Sequence, residues 1–435
     1  MSFKEYKTLD LIKVSDHISS FWKVDKTFEK SISSRDKKEF IFYEGPPSAN
    51  GMPGIHHVMA RAIKDIFCRY KTLKGYRVFR KGGWDTHGLP VELQVEKKLG
   101  ITKDDIGDKI SIEKYNQECR TTVMQFKEVW EELTESIGYW LDVDDAYITF
   151  SNEYIESIWW SLKELYKKGL LYKGYSIQPY SPAAGTGLSS HELNMPGAYK
   201  VIKDTSLTAQ FEIENNEKSA SLIGDSTCYF LAWTTTPWTL PANNGLAIGR
   251  NIDYVMIETF NKYNQKKINV ILAEKSIDKY FDRKNLIQSG EINYNDKDLN
   301  YKVISKFKGE SLIGFDYHQL LPYVKAEKPA FTVIDGDFVN TDEGTGIVHI
   351  SLTFGSDDFI ASKKNNLPGI FIKNEKNESV PIVNKSGKFV SQIIDFAGME
   401  VKSFSEKNDL TTDEKIAIKL KKENKAFDVR KYEHS

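Results

Sequence analysis

The sequence is poor in cysteine, has no long apolar run and carries almost no net charge. Its three cysteines, Cys68, Cys119 and Cys228, are scattered and odd in number, which argues against a disulfide framework. No apolar run approaches the roughly 20 residues that span a bilayer, and the N-terminus lacks the apolar stretch of a signal peptide. A cytoplasmic protein without a membrane partner is therefore expected.

The composition is that of a soluble globular protein with more than one domain. A hydrophobic content of 40%, 28% charged residues and a length of 435 residues predict two or three domains. A net charge of −1 means that any nucleic-acid partner must bind local basic patches. Residues 1–38 and 112–170 have helical spacing, and the paired Trp159 and Trp160 are expected to pack in the core.

The pattern changes beyond residue 201, where short alternating runs separated by turn residues predict a β-rich domain. These runs are SLTAQFEI, YFLAWTT, GLAIG, YVMIET, INVILAE, FTVID and TGIVHI. The β-rich domain is expected to end near residue 395, and the tail that follows returns to helical spacing.

Residues 39–75 predict a strand, a glycine-rich turn and a helix, in that order. The apolar run 39–43 is followed by a turn that holds Gly45, Pro46, Pro47, Asn50, Gly51, Pro53 and Gly54. Apolar residues then recur at the helical period from Val58 to Tyr70, and Gly75 is the predicted stop. His56 and His57 lie where the helix should begin. Because this arrangement aims backbone N–H groups at an anion, the stretch predicts phosphate chemistry.

Basic residues dominate the segment 61–81. They are Arg61, Lys64, Arg69, Lys71, Lys74, Arg77, Arg80 and Lys81, against the single acidic Asp65. Such a run is equally compatible with a solvated helix face and with contacts to a nucleotide or a tRNA.

A second motif, GWDTHGLPVE at residues 83–92, resembles the class I aminoacyl-tRNA synthetases, and among them the isoleucyl enzymes. The resemblance is carried also by GPPSANG (45–51), KDIFCRYKTLKG (64–75), WTTTPWTLPAN (233–243) and GTGIVH (344–349). It implies an α/β fold: the first half of a class I Rossmann-type nucleotide-binding fold with an inserted β-rich, barrel-like editing domain.

The resemblance implies the domain boundaries and the nature of the chain. Residues 1–200 would form N-terminal helices and the first half of the catalytic domain, 201–395 the editing insertion, and 396–435 a return segment toward the second half. No stretch resembles the Lys-Met-Ser-Lys-Ser loop of that second half. The chain is therefore expected to be an N-terminal fragment that does not aminoacylate by itself.

Roles in amino-acid activation follow from the matching positions. Pro46, Asp85 and Glu92 would bind the amino acid, with Asp85 paired to its α-ammonium. Gly45, Asn50, Gly54 and His57 would bind ATP with Mg²⁺, and His57 and His56 are the expected catalytic residues. The family signature His-Ile-Gly-His reads Gly54-Ile55-His56-His57 here. Either His56 supplies the missing donor, or phosphate contact relies on His57 and backbone N–H groups.

Roles in editing are implied for Thr234, Thr235, Thr236, Asn243, His349 and Asp358. One missing methylene gives only about 1–3 kcal/mol of discrimination, for which isoleucine against valine is the standard example, so a second site must hydrolyse misactivated valine. Asp358 would hold the ammonium of the misattached amino acid. The family commonly has Ala-Pro where this chain has Ser351 and Leu352.

The expected function is ATP-dependent activation of isoleucine and its transfer to tRNA(Ile), with hydrolytic editing of valine. The expected partners are tRNA(Ile), isoleucine and ATP, and a monomer is expected. Ser181 and Ala184 stand where many relatives carry a Cys-x-x-Cys pair, so no zinc is expected there. The alternative function is a stand-alone editing hydrolase, an aminoacyl-tRNA deacylase, with a remnant nucleotide fold.

Overall fold

A computed structural model describes residues 8–35, 38–224, 226–294, 298–402 and 410–435. The chain divides into two compact units, Met1–Gly174 and Tyr175–Ser435. The finer boundaries at residues 200 and 395 remain predictions. No helix in the described ranges is long and apolar enough to cross a membrane.

The helices of the first unit are α1 (Leu11–Asp25), α2 (Thr27–Ser33), α3 (Ile55–Leu73), α4 (Leu89–Leu99), α5 (Ile112–Val123), α6 (Lys127–Ser136) and α7 (Asn152–Lys167). The second unit contains α8 (Ser190–Leu193), α9 (Ala220–Ile223), α10 (Ile277–Tyr280), α11 (Ser356–Lys364) and α12 (Thr412–Lys422). Short 3₁₀ turns cover Lys103–Asp105, Pro237–Ala242, Glu274–Ser276, Arg283–Asn285 and Gly309–Leu312.

The strands of the first unit are β1 (Glu39–Tyr43), β2 (Arg77–Trp84) and β3 (Asp142–Ile148). Those of the second unit are β4 (Tyr180–Ser181), β5 (Thr186–Gly187), β6 (Ile202–Glu212), β7 (Cys228–Thr234), β8 (Gly245–Ile248), β9 (Asp253–Phe260), β10 (Lys267–Ala273), β11 (Lys302–Lys308), β12 (Thr332–Asp335), β13 (Ile347–Ile350), β14 (Ile372–Lys373), β15 (Ser379–Val380) and β16 (Ala426–His434).

The first unit contains a parallel sheet in the order β1-β2-β3. Helix α3 connects β1 to β2, so the predicted strand, turn and helix are confirmed and belong to a βαβ crossover. Strand β3 was not predicted, because its sequence DVDDAYI is charged and lies between helical segments. The core position expected for Trp159 and Trp160 is wrong for this chain, since their side chains are 70% and 65% exposed on α7.

The second unit is built on two sheets that pack a common core. A six-stranded sheet has the order β11-β9-β10-β7-β6-β16, and a three-stranded sheet has the order β12-β8-β13. All seven predicted alternating runs form strands of these sheets. The barrel-like closure that was expected is not formed: within the described residues the end strands β11 and β16 each pair on one side only, so the larger sheet is open.

The tail forms a helix and then a strand. The predicted helix is α12, and residues 426–434 form β16, which pairs antiparallel with β6 from Ala426↔Ala209 to His434↔Ile202. This strand was not predicted from its sequence, AFDVRKYEH, because its second half is charged and exposed. Its role in the sheet depends on a partner more than 200 residues earlier.

Candidate functional sites

The first candidate site is the loop between β1 and α3. It lies at the carboxyl ends of parallel strands, the edge at which α/β sheets bind ligands. Three bonds hold the loop. Asp85 N–H, just after β2, donates to Pro47 O at 3.0 Å, Phe126 N–H donates to Ala49 O at 2.8 Å, and Trp130 Nε1–H donates to Gly51 O at 2.8 Å. The loop is therefore fixed from the end of β2 and from the start of α6, two segments that both follow it in the sequence.

Glu44, at the start of this loop, is buried and engaged within the protein. Its carboxylate bonds Lys64 and the Tyr139 hydroxyl, and its backbone oxygen accepts a bond from the Tyr147 hydroxyl at 2.7 Å. Gly83 makes the last contact possible, because a Cβ at this position would collide with the Tyr147 ring. Gly83 therefore leaves room for Tyr147 of β3, whose hydroxyl holds the start of the loop at Glu44.

His57 is held in one tautomer at the N-terminus of α3. Gly54 N–H donates to His57 Nδ1 at 2.9 Å, so the ring proton is on Nε2. The ring packs edge-on against Trp130 with centroids 4.6 Å apart. Burial lowers the pKa of His57, and the neighbouring cations lower it further, so the ring is neutral near pH 7. His57 can therefore donate a hydrogen bond through Nε2.

A cavity of about 440 Å³ opens beside His57. Its lining includes Pro46, Asn50, His57, Arg61, Lys64 and Trp130, together with the backbone of the loop. The Arg61 guanidinium, the Lys64 ammonium and the neutral His57 donor favour an anion with several oxygens, while Lys64 is paired with the Glu44 carboxylate, which also lines the cavity. The cavity thus has the chemistry of a phosphate site.

Arg61 was not singled out from the sequence, because it is one of eight basic residues in the segment 61–81. In the structure it is 5% exposed, and its guanidinium lies over the Trp130 ring at 4.8 Å. Its Nε has no hydrogen-bond partner within the described part of the chain. Burial lowers the pKa of Arg61, because the charged guanidinium loses contact with water. An anion bound in the cavity would stabilise this charge. The signal in the sequence is its position one helical turn after His57.

Replacing Arg61 with Gln should weaken the binding of inorganic pyrophosphate to this chain about 10-fold or more, because charged hydrogen bonds contribute about 1.5–3 kcal/mol. Isothermal titration calorimetry measures the change. The control is Lys74→Gln, at the exposed C-terminal end of the same helix, which removes one charge outside the cavity. Equal effects of the two variants would contradict a local role for Arg61.

Other residues predicted for activation lie around the loop: Asn50 also lines the cavity, whereas Asp85, Glu92 and His56 do not. Asp85 is half-buried and accepts a bond from His87 N–H at 3.3 Å. The Asn50 amide is tied to Gln94 of α4 at 3.2 Å. Glu92 of α4 pairs with Lys103 at 3.3 Å. His56 is exposed and stacks on His57 with centroids 3.8 Å apart.

The second candidate site lies at the end of β13, in the other unit. His349 is buried there, and its Nε2 is 3.1 Å from the Thr239 hydroxyl, which also donates to Thr236 O at 2.9 Å. Thr234 accepts a bond from Thr236 N–H at 3.0 Å. Two distant segments predicted to act together, residues 234–243 and 344–349, are thus joined by hydrogen bonds.

Asp358 lies in the first turn of α11 and bends back toward β13. Its Oδ2 accepts a bond from Ser351 N–H at 2.9 Å. Gly355 permits this approach, since a Cβ there would lie 2.9 Å from the Asp358 Cγ. Partial burial raises the pKa of Asp358 to about 6, so near pH 7 it is a half-buried carboxylate that accepts a backbone hydrogen bond from Ser351. A cationic ligand would balance the charge of the Asp358 carboxylate.

The neighbouring segment is well bonded despite its departure from the family pattern. Leu352, where relatives commonly have proline, donates its N–H to Asn244 Oδ1 at 3.2 Å. A cavity of about 740 Å³ adjoins this segment, with Leu352, Thr353 and Phe359 in its lining. The lining thus includes residues that directly follow Ser351 and Asp358 in the sequence.

The remaining predicted editing residues, Asn243 and Thr235, differ in burial and in how many hydrogen bonds they make within the protein. Asn243 is 2% exposed, donates to Gly245 O at 2.8 Å and to Ile350 O at 3.3 Å, and accepts a bond from the Tyr317 hydroxyl at 2.7 Å. Its amide therefore ties strands together. Thr235 is half-buried next to the bonded pair Thr234 and Thr236.

No group of three or more His, Cys, Asp or Glu side chains in the described residues could hold a metal ion. Ser181 accepts a bond from Ala184 N–H at 3.2 Å, so this turn is closed by a hydroxyl.

A parallel βαβ unit with a cation-lined cavity at the helix start is an arrangement typical of nucleotide-binding α/β proteins. A family model described as "tRNA synthetases class I (I, L, M and V)" matches residues 17–345. The chain belongs to this family. The fold expected from the resemblance, a class I synthetase domain of mixed α/β structure, is thereby confirmed.

Curated relatives match along the whole chain. A protein named isoleucine–tRNA ligase from Cytophaga hutchinsonii is 55% identical over 100% of this chain and 40% of its own length. The protein of the same name from Porphyromonas gingivalis is 50% identical over 100% of this chain and 40% of its own length. This chain thus spans about two fifths of the length of these relatives.

Among solved structures, the editing domain of P.knowlesi cytosolic leucyl-tRNA synthetase aligns with 38% of this chain and 64% of its own. The identity is 16% and the TM-score is 0.28. A score this low supports no argument about the present chain.

Proposed function

We propose that this chain carries the amino-acid-activating site and the editing site of an isoleucine–tRNA ligase. The observation that carries the first part is the cavity at the start of α3, where a neutral His57 donor and the Arg61 and Lys64 cations line one phosphate-sized space. Relatives at 50% and 55% identity bear this name, which supports isoleucine as the amino acid.

In the proposed activation, the carboxylate of isoleucine attacks the α-phosphate of ATP, and the bond to pyrophosphate breaks. His57 donates its Nε2 proton as a hydrogen bond to a phosphate oxygen whose charge increases in the transition state. Arg61 and Lys64 offset the charge of the departing pyrophosphate. Asp85 pairs with the α-ammonium of isoleucine, and Pro46 forms a wall of its pocket. Mg²⁺ would enter bound to the ATP phosphates.

The products of this step are isoleucyl-AMP and pyrophosphate, and tRNA(Ile) is the proposed acceptor of the isoleucyl group. Gly45, Asn50 and Gly54 shape the loop that faces ATP, and Glu92 stays a predicted contributor to amino-acid binding. His56, stacked on His57, supports its orientation. Monomeric state and cytoplasmic location also stay predictions.

In the proposed editing reaction, water attacks the ester carbonyl of valyl-tRNA(Ile), which releases valine and restores the tRNA hydroxyl. Asp358 pairs with the α-ammonium of valine, which matches its state as a half-buried carboxylate in need of a cation. Thr234, Thr235, Thr236 and His349 position the ester and the water, and Asn243 holds the strands beneath them.

The test is amino-acid-dependent ATP–pyrophosphate exchange by a protein that spans the full length of the relatives. Isoleucine should support exchange with the highest kcat/KM, valine with a value about 100-fold lower, and leucine with less. A preference for valine or leucine would contradict the substrate. Since the matched relatives are named ligases, the stand-alone hydrolase is not proposed.

A further inference from the structure

Thr239 is a buried residue between the two predicted editing segments. It lies in the 3₁₀ turn Pro237–Ala242, and its side chain is 6% exposed. Its hydroxyl contacts two groups: the Thr236 carbonyl oxygen at 2.9 Å and His349 Nε2 at 3.1 Å. No role has been assigned above to this side chain.

The proton count at this hydroxyl determines the tautomer of His349. A hydroxyl has one proton, and a carbonyl oxygen can only accept, so the Thr239 O–H donates its hydrogen bond to Thr236 O. Toward His349 the hydroxyl oxygen must then act as the acceptor. His349 Nε2 is therefore the protonated nitrogen, and Nδ1 carries the lone pair of a neutral ring.

The lone pair of His349 Nδ1 has no hydrogen-bond partner in the described part of the chain, although the atom is buried. Burial also lowers the pKa of His349 to about 4, which keeps the ring neutral near pH 7. A base this weak takes up protons poorly at neutral pH, so the ring is suited to accept a hydrogen bond and orient an O–H group. A buried acceptor without a partner destabilises the fold unless a ligand uses it.

The turn that carries Thr239 is anchored from α12. Asp413, 1% exposed at the start of that helix, accepts a bond from Trp238 N–H at 2.8 Å. Lys402 balances the charge of Asp413 at 2.5 Å. The Trp238 ring packs edge-on against Phe354 with centroids 4.8 Å apart. The Asp413 carboxylate thus holds the backbone at Trp238, and the next residue, Thr239, contacts His349 through its side chain.

We propose that Thr239 is a positioning residue for editing: it fixes His349 with the proton on Nε2, so that Nδ1 is the acceptor toward the reacting groups, and Asp413 anchors the turn that holds Thr239. The inference rests on the proposed editing function. It adds two residues, from the Thr-rich turn and from the tail, to the machinery that orients His349.

The tautomer is tested directly by ¹⁵N NMR of this chain with labelled histidine. In the native protein and in Thr239→Ser, Nε2 of His349 should be protonated and Nδ1 should not. In Thr239→Val, which keeps the shape and loses the hydroxyl, the Nδ1–H form should appear. An unchanged tautomer in the valine variant would overturn the proposal, whatever the activity of the protein.

The kinetic test is deacylation of valyl-tRNA(Ile) by a protein of the relatives' full length. Thr239→Val should lower kcat about 10- to 100-fold, by analogy with the loss seen when the partner that orients a metal-bound imidazole is removed, with little change in KM. Thr239→Ser should restore most of it. The control is Thr259→Val. Thr259 is a fully buried threonine, and its hydroxyl donates to Asn300 O at 2.9 Å and not to His349.

A loss of kcat equal in Thr259→Val and Thr239→Val would reduce Thr239 to a packing role and overturn the proposal. If the unsubstituted protein does not deacylate valyl-tRNA(Ile), the proposed editing function fails, and the NMR result alone decides the role of Thr239. Asp413→Ala should shift the tautomer as Thr239→Val does, and Asp413→Asn, which retains an acceptor for Trp238 N–H, should not. The same tautomer in both Asp413 variants would remove Asp413 from the proposal.

Discussion

His57→Ala should slow isoleucine-dependent ATP–pyrophosphate exchange by about 10²- to 10³-fold in a protein of the relatives' full length, the effect of removing one donor to developing charge. The donor is Nε2–H, because Nδ1 accepts the bond from Gly54 N–H. Burial lowers the pKa of His57, which favours the neutral ring in which Nδ1 accepts that bond and Nε2 keeps its proton. The loss should appear in kcat more than in the KM for isoleucine.

The control for this substitution is His17→Ala, an exposed histidine on α1. Because His57 also packs against Trp130, the thermal unfolding of each variant must be measured with its exchange rate. An exchange rate within about 3-fold of the unsubstituted protein would contradict a role for His57 in transition-state stabilisation; a 3-fold change corresponds to only about 0.65 kcal/mol.

Asp358→Asn should abolish most deacylation of valyl-tRNA(Ile) and at the same time stabilise the second unit at pH 7. The carboxylate that would pair with the valine ammonium becomes a neutral amide, so the charge-assisted contact is lost. Asn keeps an oxygen that can accept the Ser351 N–H bond. Activity and stability are therefore expected to change in opposite directions.

The stability change follows from the raised pKa of Asp358, which is about 6 in the fold against an ordinary value of 3.8. Between these two values the folded chain holds the proton and the unfolded chain loses it, so stability falls as pH rises through this window. Below pH 4 native protein and variant should match. Above pH 6 the variant should be more stable by up to about 3 kcal/mol, from 1.36 kcal/mol per pKa unit.

Denaturant unfolding at several pH values measures this difference, and the exposed neighbour Asp357→Asn is the matched control because its carboxylate lies outside the buried contact. A variant that loses activity and stability together would indicate that Asp358 has only a structural role. A stable variant with full editing would contradict its contact with the substrate ammonium.

Local structure was largely predictable because it depends on residues close together in the chain. The turn 45–54 and the helical period after it identified β1 and α3, and the alternating runs identified β6 to β10, β12 and β13. Motifs of fixed spacing also carried the resemblance to the class I synthetases. Strands β3 and β16 were not predicted, because charged residues on their exposed faces hide the alternating pattern. They form strands because they pair with β2 and β6.

By itself the sequence determined which segments form the strand, turn and helix of residues 39–75 and which form the β-rich unit, since turn chemistry and apolar period act over a few residues. Only the tertiary structure decided which side chains are poised to react. Arg61 is buried because Trp130, far along the chain, covers it, and the proposed tautomer of His349 depends on the Thr239 hydroxyl, 110 residues earlier, which accepts a hydrogen bond from Nε2–H. Burial, charge and tautomer depend on neighbours that the fold brings together, so no local pattern encodes them.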